Sequence, residues 1–228
     1  MKQRLLYVDI ETTPLVCLAW GMWQTNVAKL LQDFYILSVA YQWEAGKMEF
    51  MRSYGDDKSI VQKLHTLFCE ADVIVAQNGD QFDIKKINTR LAFWGFPPPE
   101  PYKTVDTFKI LKRNFGLTRN SLDFVCQYFK IGKKVKHHGI DLWDNCMNDP
   151  NHPDWKTLER YNKMDVVLLR KLYQKIKPWH KTHPVVGNLC PKCGSKEGQW
   201  RGKEWSKGVE YKKWACLSCH KWTRTVIK

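Results

Sequence analysis

Short runs of strand-forming residues constrain the fold of this 228-residue chain more than any other feature. The first run, residues 5–10, is followed by runs at 34–43 and 47–53 with a Gly-containing turn between them, which predicts a hairpin beside the first strand. Two further strands are predicted at 73–76 and 104–106. Antiparallel strands that are followed by strands alternating with helices predict an α/β fold with a mixed sheet.

Segments with apolar residues at helical spacing lie between and after the later strands. Asp56 or Asp57 is the expected N-cap of the first predicted helix. The segment 132–153 is rich in Lys, His, Asn and Gly and is predicted to be a loop. The predicted helices cover residues 56–70, 82–94, 107–114, 121–129 and 154–176.

The formal net charge of the chain is +14, which favours a polyanionic partner such as nucleic acid. An acidic protein partner is the alternative. The sequence has no apolar run of spanning length and no secretory pattern, so we expect no membrane partner and a cytoplasmic location. Pro178 and Pro184 indicate a linker, and we predict two domains, 1–179 and 180–228.

Acidic residues follow two of the predicted strands and recur on the last long helix. Asp9 and Glu11 are two residues apart at the end of the first strand, so both side chains point to one face of the sheet. Asp83 follows the buried strand 73–76 at the start of a helix, with Asp80 as the alternative acid there. Taken singly, these acids are equally typical of exposed strands, helix caps and core boundaries.

The motifs Asp9-x-Glu11, Asn78-x-x-x-Phe82-Asp83 and Tyr161-x-x-x-Asp165 together resemble the three motifs of the DEDD superfamily of 3′→5′ exonucleases, tyrosine subtype. The resemblance covers roughly residues 4–177. The segment 137–143 and the helix around Tyr161 are most similar to small stand-alone exonucleases of bacteriophages, which would place the protein in the cytoplasm of a bacterial host. The implied fold is ribonuclease H-like, a mixed sheet flanked by helices.

This resemblance implies a two-metal hydrolysis of phosphodiester bonds by two Mg²⁺ or Mn²⁺ ions. Asp9, Glu11, Asp83 and Asp165 are the implied metal ligands, and carboxylates suit such hard cations. Asp83 is expected to act through the water shell of one ion. Tyr161 is expected to position the attacking water, since a phenol with an ordinary pKa near 10 is a poor base at neutral pH.

Two Cys-x-x-Cys pairs, with 22 residues between them, mark the C-terminal segment. Paired thiolates of this kind suit one tetrahedral structural zinc ion, and a segment this small needs the metal to fold. We therefore predict a small C-terminal zinc ribbon with no catalytic role. The predicted ligands are Cys190, Cys193, Cys216 and Cys219.

Basic residues are interleaved with tryptophans in the same segment, an arrangement that suits unpaired nucleic acid. Two of its four tryptophans, Trp200, Trp205, Trp214 and Trp222, are expected to form its own core. Lys133 and Lys134, in the loop before the last long helix, are expected either to guide the strand or to be merely solvated. The candidate nucleic-acid-binding residues are Thr12, Asn78, Lys133, Lys134, Arg201, Lys203, Lys212 and Lys213.

The sequence thus predicts a metal-dependent exonuclease that shortens DNA from single-stranded or frayed 3′ ends. The direction of cleavage is implied by the resemblance alone. An exoribonuclease of the same fold and a non-catalytic zinc-ribbon adaptor that binds DNA are the alternatives.

Overall fold

The computed structural model describes residues 4–21, 23, 26–180, 190, 193, 195–206 and 208–226. The chain divides into two compact units between Gln174 and Lys175. The domain boundary after residue 179 remains a prediction. No helix among the described residues is both long and apolar enough to cross a membrane.

The larger unit contains strands β1 to β7, helices α1 to α5 and helix α6 as far as Gln174. The strands are β1 (Leu5–Thr12), β2 (Val16–Leu18), β3 (Lys29–Gln32), β4 (Ile36–Trp43), β5 (Met48–Arg52), β6 (Val73–Ala76) and β7 (Lys103–Asp106). The helices are α1 (Lys58–Glu70), α2 (Asp83–Phe93), α3 (Thr107–Asn114), α4 (Leu122–Tyr128), α5 (Asp141–Asn148) and α6 (Asp154–Ile176).

Five of these strands form the central sheet, in the order β5-β4-β1-β6-β7. Strands β4 and β5 run antiparallel to their neighbours, whereas β1, β6 and β7 are parallel. The predicted hairpin beside the first strand and the predicted mixed sheet are therefore confirmed. Connections through helices are needed where the strands are parallel, which is where α1 and α2 occur.

Side chains of β1 alternate between two environments, as expected for a strand covered on both faces. Leu6, Val8 and Ile10 pack with the buried residues of α1 and α2 on one face. Tyr7 lies on the opposite face, where its ring is 6.3 Å from that of Tyr173 on α6. Because the side chains alternate, Asp9 and Glu11 also lie on this face, toward α6.

Two parts of the unit differ from the sequence prediction. The predicted loop 132–153 contains α5, whose buried residues Leu142 and Cys146 pack beside Trp155 and Leu158 of α6. The segment between β1 and β4, for which no element was predicted, forms the antiparallel pair β2–β3.

Two aspartates contribute to the start of α1, for which either one was predicted as the N-cap. Asp57 occupies the N-cap position without a capping bond, because its buried carboxylate accepts bonds from the Ile36 backbone and from Arg90 and Trp94. Asp56 instead accepts a bond from the Lys58 backbone N–H at 2.9 Å.

The smaller unit holds a three-stranded antiparallel sheet in the order β10-β9-β8. Its strands are β8 (Gly198–Ser206), β9 (Val209–Cys216) and β10 (Trp222–Val226). Of the four tryptophans discussed above, Trp214 is buried, whereas Trp200, Trp205 and Trp222 are exposed. The expectation that two tryptophans form the core of this unit is therefore wrong. Position 198 requires glycine, because a Cβ there would overlap the Trp214 ring.

Candidate active site

Three carboxylates meet where the end of β1 approaches the middle of α6. Asp9 and Glu11 lie on one face of β1, and a break in strand register follows Glu11. Asp165 lies on α6, with its side chain turned toward them. One carboxylate oxygen of each residue lies within 4.8 Å of the other two, so the three together could hold a metal ion.

Polar side chains orient the carboxylates of β1. The Nδ2 of Asn162 donates to Oδ2 of Asp9 at 2.6 Å, and the hydroxyl of Ser38 donates to Oδ1 of Asn162 at 3.1 Å. On α5, the indole Nε1 of Trp143 donates to Oε2 of Glu11 at 2.9 Å. These three supporting residues were not assigned a role from the sequence, because nothing in the local spacing pairs them with the carboxylates.

Lys134 brings a positive charge into this site. Its Nζ donates to Oδ2 of Asp165 at 2.6 Å and to the hydroxyl of Tyr161 at 3.0 Å. The rings of His137 and Trp143 lie edge-on to the Tyr161 ring, at centroid distances of 5.0 and 5.9 Å. The site is therefore a carboxylate cluster with one ammonium group and an aromatic wall.

The acids of the second motif separate into two roles. Asp83 is the buried first residue of α2, and its Oδ1 accepts a bond from the Ile10 backbone N–H at 3.1 Å. It therefore touches β1 beside Asp9 without belonging to the group of three. Asp80 forms an ion pair with Lys109 at 2.6 Å. Asp83 is thus the acid of this motif that contacts the strand carrying Asp9.

Burial dominates the electrostatics of the four acids. It raises the pKa of Asp9 well above its usual value, and the charges of Asp165, Asp83 and Glu11 raise it further. Burial also raises the pKa of Glu11 and that of Asp83, each to about 7. The pKa of Asp165 is raised by burial as well, although Lys134 opposes the shift. Such a cluster is fully ionised only when further positive charge is present.

The donor set fits a divalent metal ion. The Oδ1 atom of Asp165 is buried and has no hydrogen-bond partner among the described residues. An unpaired buried carboxylate oxygen is unfavourable unless a cation meets it. Oxygen ligands of this kind suit Mg²⁺ or Mn²⁺.

The remaining predicted contacts of this unit lie around the carboxylates. Thr12 ends β1 directly after Glu11. Asn78 is exposed in a left-handed conformation, with φ of 58°, and its backbone N–H donates to Asp106. Lys133 and Lys134 line an open cavity of about 600 Å³ that also reaches Tyr161. The nucleic-acid contacts of these residues stay predictions.

The four predicted zinc ligands converge in the smaller unit. Their sulfur atoms lie within 4.8 Å of one another, with 3.4 Å between those of Cys190 and Cys219 and 3.6 Å between those of Cys193 and Cys216. Tetrahedral zinc with Zn–S bonds of about 2.3 Å separates its sulfur ligands by about 3.8 Å. The cluster therefore fits one zinc ion, without identifying the metal.

Basic and aromatic side chains alternate on the sheet of this unit. The Nζ of Lys212 lies 4.5 Å from the centre of the Trp200 ring, and that of Lys213 lies 5.8 Å from the Trp222 ring. The other two predicted nucleic-acid contacts, Arg201 and Lys203, are exposed on β8.

Comparisons with known proteins agree with this architecture. A search among curated proteins finds no significant sequence match. Among the solved structures, a family B DNA polymerase from the hyperthermophilic archaeon Pyrobaculum calidifontis matches with a TM-score of 0.60 and 22% sequence identity. The match covers 78% of this chain and 25% of the polymerase, so the chain spans a quarter of that protein and the likeness concerns the fold. A family model of the RNase H superfamily matches residues 6–177, and the chain therefore belongs to the RNase H superfamily.

Proposed function

We propose that this protein is a metal-dependent nuclease that removes nucleotides from the 3′ ends of DNA. The observation that carries this proposal is the convergence of Asp9, Glu11 and Asp165, with an unpartnered buried oxygen on Asp165. Membership of the RNase H superfamily supports nuclease chemistry, and the net charge of +14 supports a nucleic-acid substrate.

Two divalent ions, when bound, would supply an activated water and stabilise the leaving oxygen. Asp9, Glu11 and Asp165 would hold them, and Asp83 would contribute from the start of α2 through bound water. Asn162 and Trp143 would fix the orientation of two of these carboxylates, as their present hydrogen bonds do.

Tyr161 is suited to position the attacking water without removing its proton. Burial raises the pKa of Tyr161 to about 12, and the charge of Asp165 adds to the shift, so the phenol keeps its proton at neutral pH. A protonated phenol can donate to the water that attacks phosphorus. Tyr161 therefore acts as a positioning group and not as a general base.

Lys134 supplies the positive charge for the phosphate. Burial lowers the pKa of Lys134, but the neighbouring Asp165 and Tyr161 raise it by more, so the ammonium stays charged. A fixed cation in a partly buried site stabilises the charge that develops on a phosphoryl group. The cavity beside it, lined also by Lys133, Lys136 and His137, offers a basic path for the strand.

The smaller unit would also bind unpaired nucleic acid. Exposed Trp200 and Trp222 with their lysines present ring faces and charge together, the combination that binds unpaired strands. Its metal would be a structural zinc ion.

The test is the polarity of cleavage by the full chain. A 5′-labelled single-stranded DNA and an RNA of equal sequence are incubated with Mg²⁺ or Mn²⁺. We expect a ladder that shortens from the 3′ end, faster on DNA, which disappears in Asp165→Asn and persists in the matched variant Asp141→Asn, whose acid is exposed on α5. A circular DNA strand, which has no 3′ end, is incubated in parallel. Its cleavage would indicate an endonuclease, and faster loss of the RNA would indicate an exoribonuclease.

A further inference from the structure

The antiparallel pair β2–β3 and the described part of its connection, residues 15–21, 23 and 26–32, expose an unusual amount of apolar surface. We call this segment the tryptophan hairpin. Trp20 is 89% exposed and Trp23 is 93% exposed, more than any other large apolar side chain described in the protein. Five aliphatic side chains are each about half exposed, namely Leu15, Leu18, Val27, Leu30 and Leu31.

Exposed apolar side chains on a two-stranded hairpin are typical of an interaction site. A two-stranded hairpin is marginally stable in water on its own, and β3 is exposed at every position. Contiguous exposed apolar surface marks interaction sites, and tryptophan combines a large rigid face with little loss of side-chain entropy on binding. The exposed side chains of the tryptophan hairpin are typical of a binding surface.

The tryptophan hairpin is continuous with the carboxylate site. Strand β1, which carries Asp9 and Glu11, ends at Thr12, and β2 begins at Val16. At the other end of the hairpin, Gln32 Nε2 lies 3.9 Å from the sulfur of Met147 on α5. The same helix carries Trp143, whose indole holds Glu11. Both ends of the hairpin are thus anchored to elements of the metal site.

The charge of the segment suits a nucleic-acid strand. No acidic residue occurs between Thr12 and Asp33, and Lys29 is exposed on β3. Phosphates that approach the metal site therefore meet no negative charge on the hairpin. A strand that is paired hides the faces of its bases, whereas unpaired bases stack on aromatic rings without regard to sequence.

We propose that the tryptophan hairpin binds unpaired bases of the strand whose end lies at the carboxylate site, by stacking them on Trp20 and Trp23. This role rests on the proposed function and makes it more specific. It predicts a preference for single-stranded or frayed ends, because only such ends present free base faces beside the carboxylate site.

The test compares strands with and without bases. A 5′-fluorescent oligonucleotide and a second one of equal length, whose sugars carry no bases, are titrated with the full chain, and fluorescence anisotropy gives the Kd. No divalent ion is added, so the strand stays intact. The variants are Trp20→Ala/Trp23→Ala and Trp20→Phe/Trp23→Phe. The matched control is Phe93→Ala/Tyr128→Ala, which removes two aromatic rings of the same unit that are 65% and 63% exposed.

We expect the double alanine variant to bind the normal strand at least about fivefold more weakly, the lower end for loss of one stacked base. Its Kd for the base-free strand should equal that of the wild type. The double phenylalanine variant should retain most of the affinity, and the control all of it. Thermal unfolding of both alanine variants should match the wild type, because the replaced rings are exposed.

Three results would overturn this role. They are an unchanged Kd for the normal strand, an equal loss of affinity for both strands, and a dimer of the wild type that becomes a monomer in Trp20→Ala/Trp23→Ala while strand binding is unchanged. The last result would make the hairpin an interface between copies of the chain. Since the titration needs no cleavage, a protein that binds through the hairpin but never shortens a strand with Mg²⁺ or Mn²⁺ would refute the nuclease alone.

Discussion

Replacing Glu11 with glutamine should stabilise the metal-free protein at pH 8. Glutamine keeps the size of the side chain and an oxygen that accepts the Trp143 bond, but it removes one negative charge from the cluster. Its amide can donate to the remaining carboxylates, Asp9 and Asp165. Carboxylates that bind a metal ion repel one another when the ion is absent. Removing one of these charges should therefore stabilise the metal-free protein, although it removes a proposed catalytic residue.

The size of the effect follows from the pKa of Glu11. Burial raises this pKa from 4.5 to about 7 in the folded protein, and the charges of Asp165 and Asp83 contribute. A group whose pKa is raised on folding adds stability below its unfolded value and loses it as the pH rises through its folded value. Ionised Glu11 therefore destabilises the metal-free protein at pH 8 by on the order of 3 kcal/mol, at about 1.4 kcal/mol per pKa unit.

Scanning calorimetry of the full chain, in buffers freed of divalent ions but without chelator, measures this difference. Glu11→Gln should raise Tm by roughly 6 to 12 °C at pH 8, and the gap should close as the pH falls toward 4.5. Added Mn²⁺ should stabilise the wild type more than the variant. Glu49→Gln, an exposed acid on β5, should leave Tm unchanged. A Glu11→Gln protein that melts at or below the wild-type temperature at pH 8 would refute the reasoning.

Three further predictions concern other parts of the molecule. Lys134→Met should lower the initial rate of strand cleavage by roughly 10²–10³-fold, through loss of a cation at the reacting phosphate. The control Lys171→Met, which removes an exposed lysine of α6, should leave the rate unchanged, and equal rates for the two variants would contradict the role of Lys134. Cys216→Ala should reduce the zinc content, measured by mass spectrometry, from one ion per chain toward none. A variant that still binds one zinc ion per chain would show that Cys216 is not a ligand. Asp57→Ala should lower the free energy of unfolding in urea by about 3–5 kcal/mol, because it leaves the largely buried guanidinium of Arg90 without its carboxylate. Asp56→Ala, which removes an exposed acceptor of the Lys58 backbone N–H, should cost about 1 kcal/mol, and similar values for both variants would contradict the assignment.

The parts of the fold that could be predicted are those coded by local patterns. The five strands of the central sheet are short runs of strand-forming residues, and the long helix α6 has apolar residues at helical spacing. The positions of Asp9, Glu11 and Asp165 on a strand end and beside an apolar helical stripe are ambiguous when each is taken singly. These acids were predicted together because their motifs resemble those of the DEDD exonucleases.

Helix α5 was missed because its signal is short and polar. It has eight residues, and only Leu142 and Cys146 are buried, one turn apart, against α6 and the sheet. The tryptophan hairpin was missed for a related reason. Its strands have only three and four residues, which is too short for a clear run of strand-forming residues.

The supporting residues of the site could not be predicted because they act across long separations. Trp143 lies 132 residues from its partner Glu11, and Asn162 lies 153 residues from Asp9. Lys134 was expected either to guide the strand or to be merely solvated, and its contact with Asp165 arises only when the loop after α4 packs on α6. Local sequence patterns do not predict contacts between residues this far apart in the chain, because only the folded structure brings them together.

The most direct test of the metal-centred nuclease is the cleavage rate of a 5′-labelled single strand as Mn²⁺ is titrated into divalent-free protein. The wild type should show no cleavage without the ion and a saturable rise with it, with products that shorten from the 3′ end. Asp165→Asn should stay inactive at every concentration while binding the strand as the wild type does. Cleavage that proceeds without added ion, or an Asp165→Asn protein as active as the wild type, would contradict the central claim.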